Sequence, residues 1–149
     1  MEVKKSNFIE KTNRESIGWG LFSKNKIIKK GEIISMYIGK NVTNLEWNNK
    51  VKMGLGGYGV YVDINTVKDC REAFSKKECY ASAVNCHKNI IDSDSGAKAQ
   101  NNAYLIIKNG NVFLKSRIDI PPNSEILLDK YGKNYRFTKK INLITTFFE

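Results

Sequence analysis

Short apolar runs separated by polar, glycine-bearing connections dominate this chain. Ile33-Ile34-Ser35-Met36-Tyr37-Ile38 is brief and rich in β-branched residues, which predicts a strand. Tyr58, Val60 and Val62 alternate with their neighbours as far as Asp63 and predict another. The runs AYLIIK and NVFLKS flank Asn109-Gly110, the pair that suits a two-residue type I′ turn, so the spacing predicts a hairpin over residues 103–116. Residues 69–80, with Ala73 and Phe74 in the middle, form the best short-helix candidate. Residues 44–57 and 92–102 are rich in Asn, Gly, Ser and Lys and read as loops. Residues 26–34 (KIIKKGEII) echo residues 117–127 (RIDIPPNSEIL): an apolar pair, a turn, an acid and a new strand. One recurrence is no repeat array, and it predicts two small sheets of similar local design.

The chain has 149 residues and no proline-rich linker, so a single domain over 1–149 with its own core is expected. No apolar run is long enough to span a bilayer, so no membrane contact is expected. The first ten residues lack the apolar centre of a signal peptide, and an intracellular protein is the expectation. Cys70, Cys79 and Cys86 are odd in number, unevenly spaced and without a Cys-x₂-Cys pair. They read as reduced structural thiols rather than a disulfide framework or, with His87, a zinc site. The net charge of +10 attracts polyanions and makes electrostatic contact with DNA one reading. The lysines are spread along the chain without an arginine cluster, so a solvated basic surface is the plainer one.

Chemistry enters with Gly18-Trp19-Gly20. A glycine on each side of the tryptophan lets the backbone bend and approach a ligand closely. Alone, a Gly-x-Gly is explained equally well by an ordinary turn. Further along come Tyr37-Ile38-Gly39, then ASAVNC at 81–86, Asn101-Asn102-Ala103, and EILLDKYG at 125–132. This ordered set resembles the SET-domain family of protein lysine methyltransferases, over about residues 8–135.

The resemblance implies a mostly β fold of the SET (β-clip-like) kind: several small twisted sheets, few short helices and a threaded C-terminal segment. The tail at 136–149 is expected to close the substrate channel, with Phe137, Phe147 and Phe148 beside Tyr135. It implies S-adenosylmethionine as cofactor, held by Gly18, Trp19 and Gly20 through their backbone and by Asn85 and Cys86. It assigns Tyr131 to the methyl-transfer point and Tyr37 beside the lysine channel as the catalytic pair, with Asn102, Tyr104 and Phe113 as substrate-binding residues. The implied reaction is methyl transfer to a protein lysine, with a histone or nucleosome as leading substrate and a nuclear, chromatin-associated setting. No metal is required. An attacking lysine must be neutral, although its free pKa is about 10.4. An apolar aromatic channel lowers that value by desolvation and holds the incoming ammonium on ring faces.

The chain departs from the family pattern at several places. Ser82, Ala83, Val84, Asn85 and Cys86 stand where the family has Arg, Phe, Ile, Asn and His. Placing the motif at residues 88–93 instead puts Ile91 in the Asn position, and Asn85 is preferred because only an amide can make the required hydrogen bonds. Lys130 is one residue more than the family's Asp-Tyr-Gly, an insertion that a bulge can absorb. These 149 residues do not include the cysteine-rich flanking zinc modules of many members of that family. Two other readings therefore stand beside the first: methylation of a non-histone protein, and a catalytically silent SET-like module that binds chromatin or nucleic acid through its lysines. A homodimer is open on either.

Overall fold

The computed structural model describes residues 1–129, which are mostly β. Tyr131, Lys130 and the tail at 136–149 lie outside the described residues. Strands β1 (Glu2–Lys5), β2 (Phe8–Glu10), β3 (Trp19–Phe22), β4 (Ile33–Met36) and β5 (Lys40–Thr43) lead into helix α1 (Asn44–Lys52). Strands β6 (Gly59–Asp63) and β7 (Thr66–Asp69) precede helix α2 (Arg71–Ser75) and a 3-10 turn at Ala81–Ala83. Then come β8 (Asn85–Cys86), β9 (Ile90–Asp92), β10 (Ala103–Lys108), β11 (Asn111–Ser116) and β12 (Glu125–Leu128).

The largest sheet runs β1-β3-β12-β10-β11-β4, with β8 added alongside β12. A three-stranded sheet (β5-β7-β6) and a two-stranded one (β2-β9) complete the set. β12 is the hinge of this arrangement. Ile126 and Leu128 enter the main core with Leu21, Leu105 and Leu114, while Leu127 points the other way to Ile90 and Ala99. A strand buried on both faces must be apolar at consecutive positions, which is why ILL is uninterrupted. The hairpin forms as its turn chemistry requires: Asn109 and Gly110 both have positive φ (52° and 77°), and Lys108 pairs with Asn111. The two echoing segments bind each other, since Ile28 and Ile120 exchange both backbone hydrogen bonds, at 2.9 and 2.7 Å. Both isoleucines are buried.

Two local expectations are corrected. Residues 44–52 form α1 and not a loop. Thr43 and Glu46 make a capping box, each side chain bonding the other's backbone N–H. Trp47, fully buried, packs with Val51 against Val42, Tyr61 and Val67 of the three-stranded sheet. A Cβ on Gly59 would stand 2.6 Å from the Trp47 ring, so that glycine is the floor on which the indole lies. The helix expected over 69–80 is confined to Arg71–Ser75. Lys77 takes a left-handed φ of 61°, and the Glu78 N–H returns to the Ala73 carbonyl at 2.8 Å, which stops the helix.

Candidate functional site

The edges of these sheets enclose a cleft of about 860 Å³, within the range of small-molecule sites. Gly18, Trp19, Tyr37, Asn85 and Cys86 all line it, so five residues singled out from distant parts of the sequence converge on one concavity.

The Gly18-Trp19-Gly20 loop enters β3 with its polar groups mostly committed. Gly18 has φ of +82° and nothing within 4 Å of where a Cβ would be. Its N–H donates to Ser16 Oγ at 3.1 Å, and its carbonyl accepts from the Ser6 N–H at 2.8 Å. Trp19 is 60% exposed, so its indole lies open at the cleft instead of filling the core. The Trp19 carbonyl accepts from Asn85 Nδ2 at 2.8 Å. Asn85 is delivered there by β8, which runs parallel to β12 with Asn85 opposite Leu127 and Cys86 opposite Leu128.

Gly20 does not line the cleft; it lies buried beneath the loop against Glu125. A Cβ at Gly20 would meet Glu125 Oε2 at 2.5 Å. That carboxylate is fixed from two sides, by Ser6 Oγ donating to Oε1 at 2.6 Å and by Asn85 Nδ2 reaching Oε2 at 3.4 Å. Burial pushes the Glu125 carboxyl above the usual range, and the Ser6 and Asn85 donors partly counter it. Glu125 therefore links the N-terminal strand, the glycine loop and the asparagine. Sequence reasoning used it only as a landmark; the signal available was an acid opening an otherwise apolar, doubly buried strand.

Opposite the loop, Tyr37 is nearly buried, its N–H donating to the Val112 carbonyl at 2.9 Å. Tyr58 and Phe74 add a stacked aromatic wall, their ring centroids 4.7 Å apart. The Arg71 guanidinium lies 5.4 Å from the Tyr58 ring centre and donates to the Leu55 and Gly56 carbonyls at 3.2 Å, tying the glycine-rich 54–57 loop to this wall. No part of this aromatic wall was assigned a role from sequence.

The substrate-binding set expected from sequence stands elsewhere. Asn102 acts as a structural clamp: its Oδ1 accepts from the Leu127 N–H at 2.8 Å and its Nδ2 donates to the Glu125 carbonyl at 3.0 Å. It stands in for a neighbouring strand and fixes the register of β12. Tyr104 and Phe113 are half-buried on one face of the β10–β11 hairpin, while Leu105 and Leu114 on the other face fill the core. None of these three lines the cleft. The segment proposed as the alternative motif does reach it through Lys88, Asn89 and Ile90, but only Asn85 bonds the glycine loop.

Among the described residues no group of three His, Cys, Asp or Glu side chains is placed to hold a metal ion. Chemically the cleft offers backbone groups, small residues at Gly18, Ser82 and Ala83, and aromatic faces at Trp19, Tyr37, Tyr58 and Phe74. Such a lining suits a ligand with a planar ring and a polar chain. No protein-family model matches the chain, and no curated protein matches it.

Proposed function

We propose that this protein is an S-adenosylmethionine-dependent protein lysine N-methyltransferase of the SET type, acting on a histone in chromatin. The reading rests above all on one observation: the Asn85 amide bonds the Trp19 carbonyl at the wall of the cleft that Gly18, Tyr37 and Cys86 also line. Four of the five cofactor residues implied by the ordered motifs, all but Gly20, thus share one concavity of suitable volume, and the mostly β architecture of several small sheets agrees with the proposed class.

On this reading Gly18, Trp19, Asn85 and Cys86 hold S-adenosylmethionine, which when bound supplies a sulfonium methyl group. Gly18, without a side chain, leaves the backbone open to close approach. Tyr37 with the Tyr58–Phe74 wall keeps water from the reacting amine and favours its neutral form. Positioning is the main contribution these residues make. Tyr131 carries the hydroxyl at the transfer point by motif alone. The excess of lysine favours docking on nucleosomal DNA.

Calorimetric titration with S-adenosylmethionine, followed by a labelled-methyl assay on histones, nucleosomes and a non-histone protein mixture, tests the proposal. Label on histone lysine, strongly reduced by Tyr131→Phe, is the expected result. Cofactor binding with no labelled protein would remove the enzyme reading. It would favour the silent chromatin-binding module, a second reading that draws on Asn102, Tyr104 and Phe113 standing off the cleft. Label on non-histone protein alone would leave the chemistry and change the substrate.

A further inference from the structure

Lysines are scattered along the sequence, but the fold fixes four of them on one surface away from the cleft. That surface is built by residues 23–32 and 116–124, which overlap the two echoing segments and are stapled to each other. Beyond the Ile28–Ile120 pair, the Asn123 N–H donates to the Lys24 carbonyl at 2.9 Å, and Ser23 Oγ donates to the Pro121 carbonyl at 2.7 Å. Asp119 Oδ1 accepts from the Lys30 N–H at 2.8 Å, Ser116 Oγ donates to the Lys29 carbonyl, and the Gly31 N–H donates to the Ser116 carbonyl at 3.0 Å. The backbone is thus held at Lys24, Lys29 and Lys30, while Lys24, Lys26, Lys29 and Lys30 are all exposed. Among the described residues none of these four ammonium groups makes an ion pair, whereas Lys50 and Lys76 are neutralised by Asp69 and Glu72. The two segments carry only two acids, Glu32 and Asp119, the latter bonded to the Lys30 backbone, and their fifth cation, Arg117, is paired with Asp129.

We propose that this stapled surface docks on the phosphate backbone of double-stranded DNA, with Lys24, Lys26, Lys29 and Lys30 at the phosphates and the exposed Asn25 and Asn123 as neutral donors beside them. The partner belongs to the proposed function, but the surface is argued from charge and geometry and does not need methyl transfer. Four unneutralised cations on one short segment concentrate a positive field that a polyanion balances. A surface already fixed by backbone bonds loses little freedom on docking against a stiff duplex. Neither segment holds a Phe, Tyr or Trp. Single-stranded nucleic acid is held largely by stacking on aromatic rings, so the surface does not suit it. A bilayer interface calls for a continuous apolar face, whereas Ile27 and Ile118 are exposed singly, each between polar or buried neighbours. Phosphate contacts carry no base readout, so the docking is independent of DNA sequence. None of residues 23–32 or 116–124 lines the cleft. Strand β3 runs from Trp19 at the cleft to Phe22 beside this surface, about 10 Å of extended chain, so the duplex does not compete with what the cleft holds.

Fluorescence anisotropy of a labelled DNA duplex of mixed sequence, measured without S-adenosylmethionine, reads the docking separately from the methyl-transfer proposal. Four phosphate contacts predict a slope of about −3.6 in the logarithm of affinity against that of salt, a roughly 100-fold weakening between about 50 and 200 mM. Lys24→Gln, Lys26→Gln, Lys29→Gln and Lys30→Gln combined should weaken binding at least about tenfold at the lower salt and flatten that slope. The control combines Lys40→Gln, Lys52→Gln, Lys77→Gln and Lys108→Gln, which removes the same charge from exposed positions elsewhere. It should bind within about threefold of wild type, with the slope kept. Equal weakening by the two sets would put net charge in place of the stapled surface and overturn the proposal, as would no binding by wild type or an affinity indifferent to salt. Tighter binding to single-stranded RNA or to phosphatidylserine vesicles than to the duplex overturns it in favour of that partner. Lys29→Gln alone, expected to lower the slope by about 0.9, decides if the fourfold variant does not fold.

Discussion

The Asn85 side-chain amide donates to the Trp19 carbonyl at 2.8 Å across 66 positions of sequence, and the same nitrogen reaches Glu125 Oε2 at 3.4 Å. One amide therefore couples β8, the glycine loop and the acid that opens β12. The candidate site is organised around that contact, and four expected outcomes follow from its surroundings.

Gly20→Ala places a methyl where the Glu125 carboxylate is held by Ser6 and Asn85. The substitution is expected to destabilise the protein by about 1–3 kcal/mol, the scale of overpacking in a full interior. In a Glu125→Ala background the obstacle is gone and most of that loss should vanish, a non-additivity that urea titrations of the wild type and the three variants will measure. Equal losses in both backgrounds would show that the conflict lies elsewhere.

Asn85→Ala removes a donor from the Trp19 carbonyl and from the part-buried Glu125 carboxylate. Stability should fall by about 1 kcal/mol. On the proposed function, S-adenosylmethionine affinity should fall by roughly tenfold or more, equivalent to about 1.4 kcal/mol. Calorimetry showing unchanged affinity in a folded variant would take Asn85 out of the cofactor site.

Glu125 gives a pH signature. Its folded pKa is raised by burial above the ordinary glutamate value. The folded state therefore binds its proton more tightly than the unfolded chain, and the associated stability is complete at low pH and is lost as pH rises through the raised value. Glu125→Gln stays neutral, so it should gain stability relative to wild type on going from acid to neutral pH, with the difference developing between the ordinary glutamate range and the raised folded value. Urea midpoints of the two proteins that run parallel across that window would contradict the buried, proton-favouring setting.

Arg71 grips the 54–57 loop by donating to the Leu55 and Gly56 carbonyls while lying on Tyr58. Lysine lacks the planar fork and cannot hold both carbonyls in the same way. Arg71→Lys should leave the fold intact and speed tryptic cleavage at the neighbouring Lys52, read by mass spectrometry over time. A cleavage rate equal to wild type would mean the loop is held by other contacts.

Much of the β framework was legible because its signals are local. The Asn109-Gly110 turn, the strand expected over residues 33–38, which forms over Ile33–Met36, and the alternation through Val60 and Val62 depend on neighbours in sequence, and strands lie there. Helix α1 was missed although Thr43-x-x-Glu46 spells a capping box, because its exposed face, with Leu45 70% exposed, dilutes the apolar pattern to Trp47 and Val51. Gly18, Trp19, Tyr37, Asn85 and Cys86 were named from motif order and do share a cleft. Asn102, Tyr104 and Phe113, named the same way for substrate binding, lie away from that cleft, and motif order carries no information about which face of a strand a side chain takes.

By itself, then, the sequence determined where short strands and turns form, and which residues deserved attention, since propensity and periodicity act over a few residues. Only the tertiary structure decided that Glu125 lies under Gly20, that Arg71 and the Tyr58–Phe74 pair build a wall, and that Asn102 clamps β12. Those contacts arise when distant strands are brought into register around a buried β12, and no local pattern encodes the distance between two side chains that meet only through the fold.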